Sequence, residues 1–186
     1  MEVGIFGFII AGLVVGFVVG MTGVGGGSLM TPILLWFGIN PATAVGTALL
    51  YAAIPKSGGI YAHHRNRNID WSITGWLTLG SVPAAALTLW LLHSLHSDTE
   101  ALNAVIRNAL GYVLLLTALA ILFKQQLLNF AHKHAGDHYH LSGTSLNALT
   151  VLTGVVLGIM VTLTSIGAGA LGTVALFILY PFLATK

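Results

Sequence analysis

The sequence contains no cysteine, which excludes a disulfide framework, a thiolate metal site and a cysteine nucleophile. Charge is almost as scarce: 6% of the 186 residues are Asp, Glu, Lys or Arg, against about 25% in soluble domains. The five acids, Glu2, Asp70, Asp98, Glu100 and Asp137, lie at or outside the ends of the apolar runs. No paired carboxylates are therefore available inside a span, and an enzyme is not expected. Seven thinly spread basic residues give a net charge of +2, with no basic stripe of the kind nucleic acid requires. What is abundant is hydrocarbon, with 56% hydrophobic residues and a mean hydropathy of +0.90. The chain reads as an all-α, multi-pass bundle of the cell membrane whose surrounding partner is the lipid bilayer.

A spanning helix needs roughly 20 apolar residues to cross about 30 Å of hydrocarbon. Candidates are Val3 to Met21, Pro41 to Ala62, Ser72 to His93, Ala101 to Phe123 and Ser145 to Leu163. Two runs of half that length, Leu29 to Gly38 and Leu171 to Tyr180, each follow a long helix across a glycine-rich break. Glu2 stands where the basic n-region of a signal peptide belongs, so the first run is expected to be retained as a helix.

The two broken regions repeat one another. A shift of 142 residues places Gly12 on Gly154, Gly16 on Gly158, Thr22 on Thr164, Gly25 on Gly167, Gly27 on Gly169 and Thr31 on Thr173. The expected organisation is a first repeat over 1–123, a His-rich loop over 124–144 and the start of a second repeat over 145–186. That second copy stops before the counterpart of the Pro41 helix, and truncation is the expected reason. Arg65 and Arg67 mark one loop as cytoplasmic, Lys124 and Lys133 mark another, and the His93 to Glu100 loop, without Lys or Arg, is expected outside. Inverted repeats with discontinuous helices are a frequent plan among secondary transporters; a parallel arrangement follows instead if the Leu29 segment is re-entrant.

The breaks carry the candidate chemistry. Glycine reaches φ > 0 and lets groups approach the backbone. A helix starting after such a break presents unpaired N–H groups and a positive dipole end, which attract anions. Candidate anion-binding residues are Thr22, Gly23, Gly25, Gly26, Gly27 and Ser28 in the first copy, and Thr164, Ser165, Gly167 and Gly169 in the second. Without G-K-[ST] after Gly27 the run is not a nucleotide loop. Lys56, between Pro55 and Ser57-Gly58-Gly59, is a cation inside a span and is expected to face a cavity or to snorkel. Gly12, Gly16 and Gly20, like Gly154 and Gly158, have the small-xxx-small spacing of close helix packing.

His63 and His64, beside Arg65, are candidates for proton relay or gating, or for interfacial anchoring. His132, His134, His138 and His140 lie in a polar loop with no ordered ligand spacing, which favours a solvated loop over a metal site. No metal or other cofactor is expected. Trp71, Trp76 and Trp90 fit the aromatic belt.

The stretch Met21 to Pro32, then Asn40-Pro41-Ala42-Thr43-Ala44-Val45-Gly46-Thr47, Pro55-Lys56, His64 and Asn68-Ile69-Asp70-Trp71, resembles the TauE/SafE sulfite exporter family. The second copy, Thr162 to Pro181, is similar to that family's repeated motif. The resemblance implies a secondary transporter for sulfite or small organosulfur anions, with the breaks near the transport path. An anion channel and a truncated, non-transporting membrane scaffold stay open as alternatives. One departure is Ala48, where relatives with a lysine matching Lys56 commonly carry an acid.

Overall fold

The computed structural model describes residues 4–23, 25–94, 99–123, 126, 143–167 and 169–180. The four loop histidines His132, His134, His138 and His140 lie outside them. The described residues form seven helices and no strand: α1 Ile5–Thr22, α2 Gly26–Trp36, α3 Pro41–Arg65, α4 Trp71–Ser94, α5 Thr99–Leu122, α6 Gly143–Thr164 and α7 Ala170–Leu179. The spans expected from the apolar runs are all present, and α1, α4, α5 and α6 are long and apolar enough to cross a membrane. α3, at about 37 Å, also has the length, but Lys56 and its His63-His64-Arg65 end make it the least apolar of the seven.

Local chemistry sets the helix boundaries. Asn40 Oδ1 accepts from Ala42 N at 3.0 Å, with Pro41 at the first helical position of α3, where its missing N–H costs nothing. Asp70 Oδ1 accepts from Ser72 N and Ile73 N at 3.0 and 3.2 Å, capping α4. α1 ends on Gly23, whose left-handed backbone turns its N–H onto Val19 O. The short helix α2 starts at Gly26, three residues before the apolar run that predicts it. Gly26, Gly27 and Ser28 are thus its buried first turn and not part of the break.

The two breaks share one backbone conformation at equivalent positions. α1 ends at Thr22 and α6 at Thr164. The next residues, Gly23 and Ser165, have φ of 67° and 61°, and Gly25 and Gly167 have 102° and 109°.

α3 is central to the packing. Its Ala44 and Ala48 are buried with Val15 of α1 and with Met30 and Leu34 of α2. Val45, on another side, joins Ile106, Leu110 and Val113 of α5 and Ile166 of the second break. The closest helix pair is α4 with α6. There Gly80 lies against the Val151 carbonyl, Gly154 against that of Leu77 and Gly158 against that of Ser81, so a Cβ at any of the three would collide with backbone. The glycine spacing of α6 therefore serves close helix packing. That of α1 serves something else: Gly12 and Gly16 receive the ring of Tyr51, whose hydroxyl donates to Gly12 O at 2.7 Å.

Candidate functional site

The breaks meet. A Cβ on Gly25 would lie 3.6 Å from the Cα and N of Gly169, and one on Gly27 would overlap the carbonyl and hydroxyl oxygens of Ser165. Only glycine allows this approach at Gly27, because any side chain would displace the second break. The start of α2 and the start of α7 are thereby brought side by side. The orphan N–H groups of a helix's first turn, with its positive dipole end, are what an anion would meet there.

Beside this junction lies a cavity of about 500 Å³, walled by Gly20, Gly23, Gly25 and Gly26, by Tyr51 and Lys56 of α3, and by Gly169. It combines residues of the first break, the lysine and the second break. Lys56 also lines a second cavity, of about 510 Å³, with His63, Asn68, Asp70 and Thr74 at the α3–α4 turn. Lys56 thus belongs to both cavities, with Pro55 beside it in the first and Gly59 in the second. Asp70, the carboxylate of the second cavity, is held by the N–H groups at the start of α4.

Other candidates are placed differently. Thr22 donates its hydroxyl to Val18 O at 2.8 Å, Ser28 to Gly25 O at 2.7 Å and Thr164 to Met160 O at 2.6 Å. Thr164 Oγ1 also accepts from Ile166 N at 3.1 Å. These protons satisfy helix-end carbonyls and hold the shape of the breaks. Gly27 and Ser165 form the contact behind the cavity, and Gly167 supplies the second positive φ next to Leu171. His63 lines the outer cavity, while His64 is exposed and edge-on to Trp71, with ring centroids 5.6 Å apart.

Tyr51 is the residue that sequence reasoning missed. It covers Gly16 and Gly26, closes one side of the cavity and ties α3 to α1. Its signal was the Gly12-x3-Gly16-x3-Gly20 stripe, which makes room for a ring as readily as for a neighbouring helix.

A bundle of apolar spans interrupted by two facing broken helices, with a cation and a cavity at their junction, has the architecture of a membrane transporter. Residues 8–186 match the family described as Sulfite exporter TauE/SafE, and the chain belongs to that family. It is 40% identical over 179 residues to a Bacillus subtilis (strain 168) protein described as "Probable membrane transporter protein YjnA", an alignment covering 96% of this chain and 69% of the relative. No solved structure matches the chain. The protein is a multi-pass membrane transporter, and its family is one of transporters and not an enzyme class.

Proposed function

We propose that this transporter moves a small divalent or monovalent anion of the sulfite or organosulfonate class out of the cell. The observation that carries the reading is the cavity shared by the start of α2, Gly169 of the second break and Lys56. Backbone N–H groups and one ammonium give a donor set suited to an oxyanion of a few heavy atoms. Gly23, Gly25, Gly26, Lys56 and Gly169 line this space. Thr22, Gly27, Ser28, Thr164, Ser165 and Gly167 support the backbone around it. The outer cavity, with His63 on its wall, is the approach to Lys56 from the α3–α4 turn, and its basic loop belongs on the cytoplasmic side. An exported anion would enter there.

Flux of sulfite and of a short alkanesulfonate from loaded proteoliposomes tests the reading. Saturable efflux is expected, reduced at least tenfold by Lys56→Ala and by Gly26→Leu. Flux that survives both substitutions would overturn the site, and equal flux of a small cation would overturn the anion class.

A further inference from the structure

Three buried side-chain oxygens among the described residues meet no hydrogen-bond partner in the protein, those of Thr31, Asn103 and Ser165. Two of the three flank one glycine. Gly27, Thr31 and Leu35 are spaced by four and form a single stripe along α2. At one end Gly27 rests on the carbonyl and hydroxyl of Ser165. At the other Leu35 packs against both core clusters, the one with Met30 and Leu34 and the one that contains Ile166. Thr31, fully buried between them, therefore faces the second break.

Its counterpart in the other copy behaves differently. Thr173 donates to the carbonyl of Gly169, four residues back. Thr31 has the same option in the carbonyl of Gly27 and leaves it unused, which is costly for a buried hydroxyl. Ser165 adds a hydroxyl in the same condition, and its carbonyl oxygen is set against the Cα of Gly27, which is no donor. A carbonyl only accepts. The carbonyl repels an anion, and the two hydroxyls can turn their lone pairs the same way, so the set as a whole suits an electron-poor ligand. Hard cations take oxygen ligands of this kind, and unwound backbone at broken helices coordinates sodium in other transporter folds.

We propose that Thr31 Oγ1, Ser165 Oγ and the Ser165 carbonyl oxygen bind a dehydrated sodium ion between α2 and the second break. The site lies behind the first turn of α2, whose Gly26 lines the anion cavity. A cation bound there would offset the charge of a nearby anion and serve as a coupling ion.

The test is thermal unfolding of the purified chain in NaCl, KCl and choline chloride at equal ionic strength, with no anionic substrate added. A saturable rise in Tm of about 3–6 °C by about 150 mM Na⁺, absent in K⁺ and choline, is the expected result for a site with a Kd of about 10 mM. Thr31→Val keeps the shape and removes the oxygen. Ser165→Gly also removes a hydroxyl and suits the positive φ of that position, so it folds at least as well. Both should unfold at or near the wild-type temperature in choline and lose the sodium response. A wild-type Tm that does not distinguish the three salts would overturn the proposal, leaving a buried water at this place. So would a sodium response that persists in both variants. Because no anion is added, neither failure bears on the anion cavity.

Discussion

Tyr51 Oη donates to the carbonyl oxygen of Gly12 at 2.7 Å, across a sequence separation of 39 residues. Its ring lies over Gly26 and its hydroxyl against Gly16, so one side chain clamps α1, the start of α2 and α3. Tyr51→Phe removes only the bond and is expected to cost about 1 kcal/mol. Tyr51→Ala also empties the space over two glycines and is expected to cost about 3–5 kcal/mol. Chemical denaturation in mild detergent would rank the two.

Gly27→Ala is a small change with a large expected effect. The added methyl meets backbone oxygen of Ser165, which cannot rotate away, so α2 and the second break must separate. Loss of at least about 2 kcal/mol of stability is expected, together with loss of anion flux. Gly46→Ala, where nothing lies within 4 Å of the added group, is the control and should leave both readings within error.

Lys56 separates charge from shape. Lys56→Met keeps the unbranched stem between the two cavities and removes the ammonium. Apparent anion affinity should fall by about tenfold to a hundredfold, an effect of about 1.4–2.8 kcal/mol, with little change in Tm. Lys56→Arg should retain more affinity than Lys56→Met. Flux titrated against anion concentration checks both.

Asp70 is a structural carboxylate at the mouth of the outer cavity. Asp70→Ala leaves the Ser72 and Ile73 N–H groups without their cap and is expected to cost about 1 kcal/mol. Asp70→Asn, which keeps an acceptor oxygen, should recover most of it. Thermal unfolding of the pair would show the difference.

The five long helices were legible as apolar runs, with Gly23, Asn40 and Asp70 marking three of their ends. The shared conformation of the two breaks was legible in register, from Thr22 and Thr164 on to Gly25 and Gly167. The start of α2 was not. Gly26-Gly27-Ser28 has poor helix propensity, and it is helical because packing against Tyr51, Ala52 and Ser165 imposes it. The first-copy glycines were legible as a groove, but what fills it was not, since a tyrosine 39 residues away leaves no mark on the local pattern. The expectation that Lys56 faces a cavity or snorkels named the residue, while its position between two cavities depends on how α3 packs against α1 and the second break. The unsatisfied hydroxyl of Thr31 could not be seen at all, because Thr173 in the matching position is satisfied.

The same bend is written twice with different residues. Glycine at position 23 visits either hand of backbone space at little cost, whereas serine at 165 holds its left-handed conformation only because its surroundings enforce it. The two breaks are thus alike in shape and unequal in what holds them. Exchanging the residue types would therefore act in opposite directions, a glycine at 165 relaxing the second bend and a serine at 23 straining the first.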